Sequence, residues 1–176
     1  ELAPLLTLVP SYPDLPMEEV YPREEDSGHP ELYLRELPGG GRVAYFPIDI
    51  ARSFGELLIH DHGRLLAGAV AWATSETPPA VVKGPGYLDI AVWRQEKSLT
   101  VHIVNMTNPM AMRGSFRELY PVGPLEVDVA VPVGAEVSRV RLLTAGKRPK
   151  HTLEGGRLRV TVPSVECHEV VAVDLA

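Results

Sequence analysis

A strict two-residue alternation of apolar and polar side chains recurs in the C-terminal part of the chain and limits what it can fold into. Within 125–131, valines and a leucine alternate with polar or small residues, and 157–162 repeats the pattern. A period of two is typical of a strand that buries one face. The apolar sets are Leu125, Val127, Val129 and Val131 in the first segment, and Leu158, Val160 and Val162 in the second.

Six segments of strand length follow "TSETPP", and turn-forming sequences such as "QEKS", "PVGA", "TAGKRPK" and "EGG" lie between them. The segments are "YLDIAVWRQ", "SLTVHIVNM", "LEVDVAVP", "EVSRVRLLT", "RLRVTVP" and "HEVVAVDL". Many short strands at this spacing predict an antiparallel, immunoglobulin-like β-sandwich over residues 78–176.

The N-terminal region, residues 1–74, has a different organisation. Six prolines in residues 2–30 leave room for one short strand over Leu5–Val9 and then a long loop up to Pro30. Pro38–Gly41 then joins two strand-like runs, Leu32–Glu36 and Arg42–Phe46, which predicts a hairpin.

Helical periodicity begins after the hairpin. A short helix is predicted over Ala51–Leu58, and a second one from Asp61 onward. Asp61 is placed as the N-cap of the second helix, and Gly68 and the alanines are expected to let it lie close to a sheet. Strands followed by a packing helix predict the end of an α/β layer domain, so the chain is α+β overall. The expected buried stripe is Leu65, Leu66, Ala69, Val70 and Ala73, with Trp72 in the core.

Three segments carry a resemblance to a known group. "LVPSYPDLPMEEVYPRE", "PELYLRELPGGGRVAYFPIDIARSF" and "HDHGRLLAGAVAWA" resemble the C-terminal part of the amidotransferase-like β-galactosidase trimerisation domain of bacterial glycoside hydrolases. "WRQEKSLTVHIVNMTNP" is similar to the β-domain that follows it. The resemblance implies a partial flavodoxin-like remnant followed by a β-sandwich. It also implies a non-catalytic accessory region of a glycoside hydrolase that braces an upstream catalytic barrel of the same chain, or mediates homo-oligomerisation.

No catalytic residue is assigned within these 176 residues. An amidotransferase needs a nucleophilic cysteine on a strand-to-helix elbow, but the only cysteine, Cys167, lies in the predicted sandwich. The resemblance places the acid pair of the glycosidase in the absent barrel. No cofactor is expected, and a single cysteine excludes an internal disulfide.

His60 and His62 flank Asp61 and are the main candidates for a metal site. In an extended segment the two imidazoles would share a face and could bind a metal with Asp49 or Asp61, which would support a small metal-assisted hydrolase. In a helix they would diverge by about 200°. The favoured interpretation is a loop-to-helix entry.

Tyr87, Asp89 and Trp93 predict an alternative function, a carbohydrate-binding sandwich module. They alternate with Leu88, Ile90 and Val92 and could therefore share an outward face, where aromatic rings can stack on sugars. The competing interpretation is that the same face packs against another part of the protein.

Charge is divided unevenly along the chain. Residues 1–77 hold 13 acidic and 5 basic side chains, whereas 78–176 hold 10 acidic and 12 basic ones. Neither part carries a basic stripe interleaved with aromatics, so no nucleic-acid partner is expected. No apolar run is long enough to span a bilayer, so no membrane partner is expected. No targeting signal is visible, so the expected location is cytoplasmic or else unassigned.

Overall fold

The structure is a computed structural model. It describes residues 5–10, 25–108, 115 and 118–176. Contacts divide the chain into two compact units, Glu1–Glu76 and Thr77–Ala176, which are described separately below.

The described part of the first unit contains a hairpin and two helices: β1 (Tyr33–Glu36), β2 (Arg42–Tyr45), α1 (Ile50–Leu57) and α2 (His60–Thr74). The predicted hairpin is confirmed, and Gly40 adopts a φ of 83° in its turn, a conformation that glycine tolerates without a steric cost. The predicted strand over Leu5–Val9 is reduced to one antiparallel bridge between Thr7 and Pro30. Most of the predicted loop after Pro10, residues 11–24, lies outside the described residues.

The prediction that Asp61 caps the second helix is wrong. The N-cap is Ile59, which provides no side-chain hydrogen bond, and Asp61 lies in the first turn. Leu58 follows α1 in a left-handed conformation, and only Leu58 and Ile59 separate the two helices, so α2 begins at His60. Asp61 keeps a favourable position near the positive end of the helix dipole.

The apolar stripe of α2 also differs from the prediction. No side chain of this helix is fully buried, and Val70 is 61% exposed. The half-buried positions follow a helical period that passes through Trp72 instead: His62, Leu65, Leu66, Ala69, Trp72 and Ala73. The close approach occurs at Gly63, not at Gly68, because the Phe54 ring of α1 packs against Gly63 while Gly68 faces open space.

The described residues of the second unit form eight strands, and all six predicted segments are among them. The structure adds two short strands that the sequence analysis missed, β3 and β8. The strands are β3 (Ala80–Lys83), β4 (Leu88–Gln95), β5 (Ser98–Asn105), β6 (Leu125–Ala130), β7 (Val137–Leu142), β8 (His151–Glu154), β9 (Arg157–Val162) and β10 (His168–Leu175).

Two four-stranded antiparallel sheets make a β-sandwich. One sheet has the order β4-β5-β10-β7 and the other β3-β6-β9-β8. The alternating apolar positions of both sheets meet in one core, as the period of two requires. Its fully buried members include Val101, Ile103, Leu142, Val171 and Val173 from the first sheet, and Leu125, Val127, Val129, Leu158, Val160 and Val162 from the second.

The described chain is therefore β-rich, with antiparallel sheets and two helices. The structure does not show the flavodoxin-like remnant expected for the first unit: its described strands form an antiparallel hairpin rather than parallel strands. Among the described residues, neither helix is long and apolar enough to cross a bilayer.

Candidate functional site

The hairpin of the first unit has two unlike faces. Tyr33 pairs with Tyr45, with ring centroids 6.1 Å apart, and Val43 lies next to them on the same face. These three side chains, which we call the hairpin face, are 49%, 57% and 44% exposed, respectively. Leu34 and Ala44 on the opposite face are half-buried. The hairpin face is therefore a largely apolar surface, bordered by the exposed Arg35 that pairs with Val43, and the described part of its own unit leaves it uncovered.

Arg42 joins the hairpin to the end of α2. Its Nη1 donates to the carbonyl oxygen of Trp72 at 2.9 Å, and its guanidinium lies 5.5 Å from the centroid of the Trp72 ring. Its Nε also lies 3.0 Å from a carboxylate oxygen of Glu36. Cation–π and charge-assisted contacts of this kind hold the strands in a defined position on the helix.

The first unit buries little apolar surface for its size. Ile50, at 5% exposed, is the only hydrophobic side chain of its described residues that is fully buried, whereas the sandwich buries sixteen. Contiguous exposed apolar surface on a soluble protein marks an interaction site. Besides the hairpin face, the exposed apolar side chains of this unit include Leu5, Val9, Leu37, Ile48, Leu57, Leu58, Ile59 and Val70.

The three predicted metal ligands are not brought together. Among the described residues, no group of three histidine, cysteine or carboxylate side chains has the geometry for a metal ion. His60 and His62 both lie in the first turn of α2, where positions two apart point in different directions.

Asp49 instead caps α1. Its carboxylate accepts from the backbone N–H of Arg52 at 3.3 Å and from the Nε of Arg52 at 2.8 Å. The side-chain hydrogen bond from Arg52, followed by the backbone one, lowers the pKa of Asp49. The residue that the sequence suggested as a ligand therefore has a capping role, which the sequence analysis had given to Asp61.

Tyr87, Asp89 and Trp93 lie on the predicted outward side of the first sheet of the sandwich. All three are exposed, Tyr87 at 54% and Trp93 at 63%, while the intervening Leu88, Ile90 and Val92 pack on the core. Because β4 is an edge strand, the row lies along the border of the sheet. Tyr87 and Trp93 are separated by about 20 Å of strand, so the three side chains form an open row and not a pocket.

Two polar arrangements escaped the sequence analysis because their partners are distant in the chain. His102 on β5 and His168 on β10 stack with centroids 5.4 Å apart, and Nδ1 of His102 lies 3.3 Å from Nε2 of His168. The Asn105 amide, 1% exposed, donates to the carbonyl oxygens of Tyr120, Val165 and Glu166. The period of two predicted the strands of these residues but not their partners.

Comparisons with known proteins add a likeness in fold. No protein-family model matches the sequence, and no curated protein sequence matches it significantly. Among solved structures, the chain is similar to alpha-L-fucosidase isoenzyme 2 from Paenibacillus thiaminolyticus, with a TM-score of 0.66 and 20% sequence identity over 88% of this chain. The match spans only 24% of that protein. It relates the fold to part of a glycoside hydrolase and does not show the β-galactosidase trimerisation domain.

Proposed function

We propose that this chain is a non-catalytic accessory region of a larger glycoside hydrolase and that its first unit braces the catalytic domain. The observation that carries the proposal is the exposed hairpin face, in a unit where Ile50 is the only fully buried hydrophobic side chain among the described residues. A helix and a hairpin normally bury such a surface against another layer. The described residues of the first unit supply no such layer, and in our proposal the catalytic barrel supplies it.

The likeness to part of an α-L-fucosidase supports this proposal because the chain corresponds to about a quarter of that protein. Residues 1–74 also resemble the end of an amidotransferase-like domain, and this agrees with the proposal. The helices of such a domain pack on a parallel sheet, and the described residues of the first unit do not include one. Assembly between subunits through the same face is the related alternative, and the experiment below separates the two.

The test is co-expression of this chain with the remainder of the source gene product, followed by affinity purification. The wild-type chain should co-purify with the catalytic part. The double variant Val43→Lys, Tyr45→Lys should not, because burying two lysine charges in the interface without opposite charges to pair with them is costly. Leu153→Lys is the matched control, since Leu153 is 52% exposed on β8 of the sandwich.

Sedimentation of the chain alone tests the alternative, which is assembly between subunits through the hairpin face. A self-associated wild type that the double variant dissociates would favour subunit assembly over bracing. A reading frame without a catalytic domain, or equal retention of wild type and double variant, would overturn the bracing proposal.

Carbohydrate binding by the sandwich is a second candidate function, favoured by the exposed row of Tyr87, Asp89 and Trp93. Aromatic faces stack on sugar C–H surfaces, and a carboxylate accepts hydrogen bonds from sugar hydroxyls. Glycan-array binding that Trp93→Ala abolishes would support it. Tyr45→Ala removes a similarly exposed aromatic from the other unit and should leave such binding unchanged. Equal loss with both variants would count against a specific site on β4.

A further inference from the structure

The segment that runs from β7 through the following turn into β8 is strongly basic. Residues 137–153 contain five arginines and lysines and no aspartate or glutamate, although the whole chain carries a net charge of −6. One of the five, Arg141, is neutralised by Asp174, whose two carboxylate oxygens both lie 3.0 Å from its Nη2. In the described part of the chain, neither Arg139 nor Arg148 has a carboxylate within ion-pair distance.

Arg139 and Arg148 line the same cavity. It has a volume of about 370 Å³, within the range of small-ligand sites. His151 also lines the cavity, and its Nδ1 donates to the carbonyl oxygen of Pro149 at 3.2 Å. The cavity is lined by Val137, Ser138, Arg139, Val140, Arg148 and His151, none of which is acidic.

The backbone of β7 adds a further donor. This strand is at the edge of its sheet, and Leu142 exchanges backbone hydrogen bonds with Lys147 on the side away from β10. Alternate residues of a strand direct their N–H groups to the same side, so the N–H of Val140 lies along this free edge as well. Two arginine side chains and an edge N–H thus line one cavity, a donor set suited to oxyanions.

We propose that this cavity binds an oxyanion, either a free sulfate or phosphate ion or the carboxylate of an acidic sugar. The cavity belongs wholly to residues 137–151 of the sandwich. The proposal therefore does not depend on what covers the hairpin face.

The test is isothermal titration calorimetry of the full chain at low ionic strength with sodium sulfate, inorganic phosphate, glucuronate and, as a neutral sugar, glucose. Saturable binding of at least one anion, without binding of glucose, is the expected result. Arg139→Gln and Arg148→Gln should each weaken that binding about tenfold, because each removes a charge-assisted hydrogen bond. Tighter binding of glucuronate would identify an acidic sugar as the ligand, and tighter binding of sulfate or phosphate a free ion.

Arg159→Gln is the matched control. It removes the same charge from β9, outside the lining of the cavity, and Asp128 keeps its contact with Arg157. The affinity of this variant for the anion should stay within about twofold of the wild-type affinity, since Arg159 does not line the cavity. The absence of saturable anion binding, or an equal loss in the control variant, would overturn the proposal.

Discussion

Cε2 of the Phe54 ring lies 2.7 Å from the position that a Cβ atom would occupy on Gly63. A contact this short means that the ring of α1 packs directly on the backbone of α2. We expect Gly63→Ala to lower the free energy of unfolding of the first unit by about 1–2 kcal/mol, because the ring must shift to admit a methyl group. Thermal unfolding followed by the helical circular dichroism signal measures this, since both described helices belong to that unit.

Gly68 is the control for this prediction. It lies on the same helix with open space where a Cβ would be placed, so Gly68→Ala should stabilise the helix by about 0.5–1 kcal/mol through helix propensity alone. The packing argument fails if both substitutions move the transition in the same direction.

Replacing the aspartate at the start of each helix by alanine should destabilise the two helices to different extents. Asp49→Ala removes the hydrogen bond to the N–H of Arg52 and should reduce the helical signal of α1, whereas Asp61→Ala removes only a charge in the first turn of α2 and should change it less. Unfolding midpoints of the two variants in urea give the comparison. A larger loss in the Asp61 variant would contradict the assignment of the cap.

The lowered pKa of Asp49 predicts the direction of a pH effect. The side-chain hydrogen bond from Arg52 lowers the folded-state pKa below the unfolded one, so the stabilisation is present above about pH 4 and is lost as the pH falls through the folded-state value. The difference in midpoint between wild type and Asp49→Asn should therefore shrink as the pH is lowered through this range. A difference that persists unchanged below it would show that the charge of Asp49 is not involved.

Glu169 should be important for the stability of the sandwich. This carboxylate is 2% exposed and accepts from the backbone N–H groups of Thr144 and Ala145 at 2.8 and 3.0 Å. Glu169→Gln turns an NH₂ group toward one of these donors and should cost about 1–3 kcal/mol in urea unfolding. Glu154→Gln, on the exposed strand β8, is the control and should cost less than about 0.5 kcal/mol.

The stability of the sandwich should depend on the Asn105 side chain being a hydrogen-bond donor. It donates to three carbonyl oxygens, so Asn105→Asp, which keeps the shape but replaces the donor with an acceptor, should destabilise at least as much as Asn105→Ala, about 2–3 kcal/mol. Urea unfolding of the two variants tests the order. If the aspartate variant were the more stable one, the fit of the side chain and not its hydrogen-bond donation would be what stabilises this position.

The sequence predicted the sandwich best where one face of a strand is fully buried. Leu125, Val127 and Val129 repeat a period of two that only a strand satisfies, and all three lie in the core. The two missed strands, β3 and β8, have four residues each and no fully buried side chain, so their sequences carry little alternation. The candidate sites were harder to predict. The alternation along β4 predicts that Trp93 is exposed, but it carries no information about whether a ligand binds there.

The amino-acid sequence by itself determined the hairpin, the two helices, six of the eight described strands of the sandwich and which of their side chains face inward, because hydrophobic periodicity is a local property. Only the tertiary structure decided that β10 lies between β5 and β7, that Asp49 rather than Asp61 caps a helix, and that Glu169 is buried against the turn after β7. Each of these depends on backbone geometry or on partners far apart in the chain. The same holds for the cavity shared by Arg139 and Arg148, whose walls come together only when β7 and β8 join different sheets.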